Sequence, residues 1–192
     1  PAVERVGAWL QGGDAQWQIS DELAERYRQT WRLYRPLIAD VWQRCVQLRG
    51  QLADQSADAV LCHGDVHAGN VLLRPDGGLC LIDWDGMLRA PRECDLMFMG
   101  AGVGGRWGRD DPPGFADGYG PVTLDPVRLA CYRHWRILHD IQEFHDLLLE
   151  PGAAARPPSQ RLQALRYMQD QFAPSNVVDA AARSWAAANQ PA

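Results

Sequence analysis

The residues that could carry out chemistry are grouped in two short stretches of the chain. Asp65 and Asn70 lie five positions apart, and Asp83 follows Asn70 after thirteen residues. Phosphoryl transfer needs a carboxylate that holds the acceptor hydroxyl in line with the γ-phosphate, and oxygen ligands that hold magnesium on the phosphates. An Asp on a tight loop, an amide soon after it and an Asp after a hairpin could supply these roles. The spacing therefore predicts half of a phosphoryl-transfer site.

The elements around these residues change from helical to strand-like periodicity. Ser20 is followed by two acidic residues, which predicts a helix start, and apolar residues then recur at helical spacing as far as Gly50. Pro36 is predicted to kink or divide this helix. A short buried strand is predicted at 59–62, and two more short strands are predicted at 71–73 and 79–82, with a hairpin turn at 75–78. Because the hairpin reverses the chain, we expect Asp83 to lie beside Asn70.

The second half of the chain is predicted to be helical. A short helix is expected at 95–99, and a glycine- and proline-rich loop at 100–120. Asp125 and Pro126 predict the start of a long helix that ends at 151–152, and two further helices are expected at 159–172 and 175–189. The predicted fold class is α+β and predominantly helical, with a small β-hairpin element rather than a doubly wound sheet.

The motifs resemble those of a known family. His63, Asp65 and Asn70 match the pattern H-x-D-x-x-x-x-N, and residues 82–85 read I-D-W-D. Both motifs are similar to those of the aminoglycoside phosphotransferase/choline kinase family of the protein-kinase-like superfamily, and residues 90–98 look most like its spectinomycin phosphotransferase branch. The resemblance covers roughly residues 20 to 150, with the sharp motifs confined to 60–98.

The resemblance implies a role for each motif residue. Asp65 would be the catalytic Asp, and Asn70 and Asp83 would be ligands of Mg²⁺, with ATP or GTP as the phosphoryl donor. The architecture of the loop would depend on His63, His67 and Asp95, although His67 could do no more than bond the loop backbone. The implied fold is the C-terminal lobe of a protein-kinase-like fold.

The acceptor is predicted to be a small cationic molecule with a hydroxyl group. The net charge of −5 suits such a substrate, and we expect the acceptor cleft to be lined by the loop 100–120 and the helix that begins near Pro126. The candidates for holding an ammonium group are Asp110, Asp111 and Asp117. Other residues receive a structural interpretation. The acidic residues of the later helices are expected on a solvated face (Asp140, Glu143, Asp146, Glu150). Trp84 and Trp135 are expected in the core.

The N-terminal lobe of a complete kinase is not recognisable in the sequence. The chain has no lysine, no strand-rich region before residue 58 and no G-x-G-x-x-G loop. We therefore expect 1–192 to be a C-terminal lobe, with 1–19 the remnant of an inter-lobe linker, either as a fragment or as a naturally short relative. An incomplete adenine pocket and phosphate clamp would leave the isolated chain weakly active or inactive.

The predicted function is ATP-dependent phosphorylation of an aminoglycoside, an aminocyclitol or a choline-like alcohol. The alternative is a non-catalytic kinase-like binding module, against which the intact Asp65, Asn70 and Asp83 argue. Protein kinase activity is disfavoured because residues 82–85 do not read D-F-G.

Five scattered cysteines without C-x-x-C spacing predict a reducing, cytoplasmic location and no zinc site. No basic block and no long apolar run occur, so neither nucleic acid nor membrane is an expected partner; the oligomeric state is left open.

Overall fold

Two helices form the N-terminal part of the fold. The structure is a computed structural model that describes residues 1–53, 58–100 and 114–190. Helix α1 spans Ala2–Gly12 and helix α2 spans Glu22–Leu52. The sequence of 1–19 shows no clear period, yet α1 buries Val3 and Val6 and is joined to α2 by a bond from the Trp42 indole N–H to the Val3 carbonyl (2.8 Å). That this segment derives from an inter-lobe linker stays a prediction.

Helix α2 continues through its proline. It begins where expected, because the Asp21 side chain accepts the backbone N–H of Ala24 (3.0 Å). It then runs for 31 residues with Pro36 inside it, so the predicted division does not occur. Trp31 and Ile38, on either side of the proline, are fully buried in the same core. Their burial in this core offsets a cost of about 3 kcal/mol for an interior proline.

The strands form two small antiparallel pairs. Strand β1 (Val60–Cys62) pairs with β4 (Leu88–Ala90), and β2 (Val71–Leu73) pairs with β3 (Leu79–Leu81). The first three strands were predicted, and β4 was missed. The strand at 59–62 was expected to be buried, but Leu61 is 65% exposed because its two-stranded sheet lies at the surface of the described part of the chain.

The remaining helices surround one long central helix. Helix α3 spans Glu93–Leu96, α4 spans Phe115–Tyr119, and α5 spans Pro126–Leu149. The side chain of Asp125 caps α5 by accepting the backbone N–H groups of Val127 (2.8 Å) and Arg128 (3.1 Å), as the sequence predicts. Helices α6 (Pro158–Asp170) and α7 (Val177–Ala188) follow within two residues of their predicted starts.

Helix α5 forms the centre of the core. Ile137, Leu138 and Ile141 are fully buried, and α5 packs against α1, α2, α6 and α7. The predicted fold class is confirmed: the described residues form a predominantly helical lobe with small β-elements. Among these residues, no helix is both long and apolar enough to cross a membrane. The face of α5 that is turned away from this core carries the polar residues of the site.

Candidate functional site

The loop that carries Asp65 joins β1 to β2 and is fixed at its start by Asp95. One carboxylate oxygen of Asp95 accepts the backbone N–H of His63, and the other accepts that of Gly64, both at 2.8 Å. Asp95 lies on α3, which follows β4, the strand that pairs with β1. Hydrogen bonds to an ionised carboxylate are about twice as strong as neutral ones. The strand pair and this carboxylate together set the direction in which the loop leaves β1.

Buried His63 joins the loop to the end of β3. Its Nδ1 accepts the backbone N–H of Asp65 (3.2 Å), which leaves Nε2 to carry the proton and donate to the carbonyl of Ile82 (2.9 Å). Because Ile82 directly precedes Asp83, a single imidazole connects the backbones at the two predicted site carboxylates. The ring of Trp84 lies 4.7 Å from the His63 ring, but Trp84 is 46% exposed, so its expected core position is wrong.

Gly64 is required by the close approach of the segment that follows Asp83. Its φ of 86° is in the left-handed region, and a Cβ at this position would lie 2.7 Å from the carbonyl oxygen of Gly86. A side chain would therefore push apart the two segments that carry Asp65 and Asp83.

The hairpin brings Asn70 and Asp83 to the same end of the β2–β3 pair. Val71 pairs with Leu81, and the ladder continues with a bond from the Ile82 N–H to the Asn70 carbonyl (3.0 Å). Asn70 is thus opposite the residue before Asp83, as the sequence predicts. Asp83 itself has φ 65° and ψ 59°, a left-handed conformation that Asp tolerates better than bulkier residues.

The carboxylate of Asp65 is surrounded by three polar side chains. Oδ1 accepts a short bond from the Arg136 guanidinium (2.6 Å). Oδ2 lies 3.5 Å from the amide nitrogen of Asn70 and 3.6 Å from Nε2 of His67. The Asn70 amide nitrogen also donates to the backbone carbonyl of Asp65 (2.8 Å). His67 additionally accepts the Gly69 N–H through Nδ1 (3.0 Å), so it bonds the loop backbone as well as approaching Asp65.

Asp65 and Asp83 both line one cavity of about 810 Å³. Helix α5 also lines this cavity and contributes aromatic and charged side chains (Arg128, Tyr132, Trp135, Arg136, His139, Glu143). A cavity of this size is large enough to hold a small-molecule ligand. Trp135, expected in the core, is half-buried and faces this space.

Two side chains near the Asp65 carboxylate have shifted pKa values, and burial raises one of them. It raises the pKa of Asp140 to about 6, although Arg136 opposes the shift. Burial alone would lower the pKa of Arg136, but the carboxylates of Asp140 and Asp65 outweigh it, so the net shift is upward. The guanidinium therefore stays charged between two carboxylates.

Of the three predicted acceptor residues, the structure describes Asp117 alone. Asp110 and Asp111 lie outside the described residues. Asp117 is on α4, exposed, and is not among the side chains that line the cavity. The solvated face expected for the acidic residues of α5 is wrong for Asp140, which is only 16% exposed and accepts the Arg136 Nε–H at 2.8 Å. Glu143 is exposed and lines the cavity.

Sequence reasoning missed three side chains that brace the site. Arg136 contacts Asp65 across 71 residues, and nothing in the local pattern of α5 marks it. Glu93 accepts the backbone N–H of Asp125 (3.0 Å) and so joins α3 to the start of α5. Buried Arg133 donates to the carbonyls that follow α3 (Met97 and Met99, both 3.1 Å). For Arg133, the only signal in the sequence is that an arginine occurs in the middle of the apolar face of α5.

Comparisons with known proteins identify the family of this chain and several similar proteins. The model of the phosphotransferase enzyme family, APH, matches residues 3–138. The crystal structure of spectinomycin phosphotransferase APH(9)-Ia in complex with ADP and spectinomycin superposes with a TM-score of 0.79 at 32% identity, over 95% of this chain and 55% of that one. The AMP-bound complex of the same enzyme gives 0.76 at 33% identity, over 94% of this chain and 54% of that one.

A sequence relative is the streptomycin 3''-kinase of Streptomyces griseus. It is 34% identical over 101 aligned residues, and the match covers 46% of this chain and 36% of the kinase. The chain thus spans less than two thirds of each of these proteins.

Proposed function

The chain belongs to the phosphotransferase enzyme family, and we propose that it carries the catalytic half-site for ATP-dependent phosphorylation of a hydroxyl group on a small cationic molecule. The acceptor class is an aminocyclitol or aminoglycoside. The observation that carries the proposal is the pairing of the Asp65 loop with the β2–β3 hairpin, in which the Asn70 amide nitrogen bonds the Asp65 carbonyl.

Asp65 is the group that orients the acceptor. Asp65 lines the cavity, where a hydroxyl could donate to its Oδ2 and later transfer its proton to it. The loop that holds Asp65 is bonded to Asp95 and to the His63 ring, so the carboxylate is held before substrate arrives. Such preorganisation lowers the entropic cost of placing the hydroxyl in line with the phosphate.

Asn70 and Asp83 would hold Mg²⁺. The donor set fits a hard cation, because an amide oxygen and a carboxylate are oxygen ligands of the kind magnesium prefers. The Asn70 amide makes its bonds to protein through nitrogen, so its oxygen is the atom suited to the cation. Bound there, magnesium would neutralise charge on the donor phosphates.

A cationic acceptor suits the charge of the cavity wall. The three arginines that line the cavity among the described residues are each paired: Arg49 with Glu4, Arg128 with Asp125, and Arg136 with Asp65 and Asp140. Glu143 adds a carboxylate to the same wall, and Tyr132 and Trp135 supply aromatic faces that can attract an ammonium group. The relatives named for spectinomycin and streptomycin support the same substrate class.

The test is phosphoryl transfer by the longest natural protein that contains this chain. Purified protein is incubated with magnesium and ATP or GTP, and with spectinomycin, streptomycin or choline as the acceptor. Product is followed by mass spectrometry for the added phosphoryl group. We expect phosphorylation of an aminocyclitol antibiotic that depends on the acceptor and on magnesium.

The matched control is Asp65→Asn, assayed in the same way. Product formation by the wild-type protein that disappears in this variant would support the assignment. Tight binding of an acceptor without any phosphorylated product, in wild-type protein that binds nucleotide, would favour the non-catalytic binding module instead.

A further inference from the structure

We propose that Arg136 is a positioning residue that fixes the rotamer of Asp65 during phosphoryl transfer, with Asp140 as its anchor. The inference rests on the proposed function and adds a residue outside both sequence motifs. The three side chains are linked by direct contacts, from Asp65 on the β1–β2 loop to Arg136 and Asp140 on helix α5.

The guanidinium of Arg136 is bound on both sides. One terminal nitrogen donates to Oδ1 of Asp65 at 2.6 Å, and Nε donates to Oδ1 of Asp140 at 2.8 Å. Arg136 and Asp140 are one helical turn apart on α5, so their mutual geometry is fixed by the helix. The contact to Asp65 therefore ties a loop carboxylate to α5, the helix at the centre of the core.

The surroundings of Arg136 restrict its movement. Its side chain is 17% exposed, and its guanidinium carbon lies 5.4 Å from the centre of the Phe98 ring. A planar guanidinium held by two carboxylates and an aromatic face loses little further freedom when substrate binds. It can act as a rigid support rather than as a mobile surface arginine.

The contact leaves one oxygen of Asp65 for chemistry. Because Arg136 occupies Oδ1, rotation about the Asp65 side chain would break a short charged hydrogen bond. Oδ2 is then held on the side of Asn70 and His67, at 3.5 and 3.6 Å. The acceptor hydroxyl would meet the same oxygen in every turnover, which is the requirement for efficient in-line transfer.

Stability alone is a weak explanation for this arrangement. Burying charged groups costs desolvation energy that their attraction does not always recover. Arg5 provides a comparison within the same chain, since it bridges Asp146 (2.6 Å) and Glu150 (2.8 Å) in a similar way but is not among the side chains that line the cavity. A comparison of variants at Arg5 and Arg136 therefore distinguishes the loss of an ion pair from the loss of the contact with Asp65.

The experiment compares Arg136→Gln, Arg136→Lys and the control Arg5→Gln in the longest natural protein that contains the chain. We expect Arg136→Gln to lower kcat by roughly 10- to 100-fold, because a displacement of about 1 Å can cost that much. KM for the acceptor should change less than about threefold. Arg136→Lys should recover part of kcat, and ethylguanidinium added to Arg136→Ala should recover more. Arg5→Gln should lower the melting temperature and leave kcat within about twofold of wild type.

A double variant decides whether Arg136 acts through Asp65. In an Asp65→Asn background, Arg136→Gln should change the residual kcat by less than about twofold, since residues that act as a unit are not additive. An undiminished effect in that background, or a wild-type kcat for Arg136→Gln, would overturn the inference. Failure of wild-type protein to transfer phosphate is a different result, because it overturns the proposed function and the inference with it.

Discussion

Asp95 accepts the backbone N–H of His63 at 2.8 Å, although the two residues are 32 positions apart. Its second oxygen accepts the N–H of Gly64 at the same distance. One carboxylate thus bonds two successive amides at the start of the loop that presents Asp65. The bonds are made to backbone, so they depend on the conformation of the loop and not on the side chains in it.

Asp95→Asn should loosen this loop. The amide keeps one acceptor oxygen but turns an NH₂ group toward a backbone N–H. We expect a loss of about 2 kcal/mol in the free energy of unfolding, since a hydrogen bond to a charged group contributes ~1.5–3 kcal/mol. We also expect kcat to fall roughly tenfold or more as Asp65 loses its fixed position. Urea unfolding and steady-state kinetics measure the two effects.

The control for this variant is Asp76→Asn. Asp76 also accepts a backbone N–H, that of Gly78 at 3.0 Å, but in the exposed hairpin turn. It should change stability by less than about 0.5 kcal/mol, as is usual for surface substitutions. Equal effects of the two variants would contradict the role given to Asp95.

Gly64→Ala and Gly77→Ala test whether Gly64 is needed for its conformation or for space. Both glycines have positive φ, at 86° and 81°. A Cβ at Gly77 has no atom within 4 Å, whereas one at Gly64 meets the Gly86 carbonyl oxygen at 2.7 Å. The left-handed conformation should cost each variant about 1 kcal/mol. Gly64→Ala should lose a further ~1–3 kcal/mol through the clash, measured by chemical unfolding. Equal losses would mean that the close approach is not maintained in solution.

The sequence predicted those parts of the site that depend on local chemistry. A loop of fixed length separates Asp65 from Asn70, and a hairpin of fixed length separates Asn70 from Asp83. The turn residues at 75–78 set the register that brings Asn70 opposite Ile82. The cap at Asp125 is similarly local, because it involves only the next three residues. Such features need no knowledge of tertiary packing.

The contacts of α5 could not be predicted in the same way. Arg136 and Asp140 look like an ordinary exposed ion pair at helical spacing, and only the packing of α5 against the Asp65 loop buries them. Strand β4 was missed because Arg89 interrupts the apolar residues of Leu88–Ala90, whereas the three predicted strands are uninterrupted apolar runs. Its pairing with β1 nevertheless leads directly into α3 and so determines where Asp95 lies.

Acid should destabilise the lobe through two buried histidines. Burial lowers the pKa of His134 and of His145 to about 4. The unfolded chain, with histidine pKa values near 6.5, binds more protons than the folded chain between about pH 6.5 and 4. Stability therefore falls as the pH falls through this window, by up to about 1.4 kcal/mol per pH unit for each histidine. His145→Phe should reduce this slope, because it keeps the ring against Trp9 and removes the titrating group.

Trp9→Phe is the control for the pH measurement. It alters the same stacked contact, in which the ring centres lie 3.9 Å apart, but it neither adds nor removes a titratable side chain. It should lower stability by a similar amount at every pH between 4 and 7, as measured by urea unfolding. An unchanged slope for His145→Phe would show that His145 takes up no proton on unfolding in this window.

Asp65→Asn and Asp83→Asn should harm catalysis in different ways. Asp65 is assigned to the acceptor hydroxyl, and its amide keeps the shape of the side chain but cannot take the proton, so we expect kcat to fall by ~10²–10⁴-fold with little change in nucleotide affinity. Asp83 is assigned to magnesium, so Asp83→Asn should weaken the binding of magnesium–ATP as well as lower kcat. The measurements are kcat with saturating acceptor and the Kd of magnesium–ATP by calorimetry, in the longest natural protein that contains the chain.

If Asp65→Asn kept more than about a tenth of the wild-type kcat, the loss of kcat would be smaller than a positioned base provides, and Asp65 would not be the catalytic carboxylate. If Asp83→Asn left the Kd unchanged in magnesium but kcat fell, Asp83 would act on the acceptor instead of the metal.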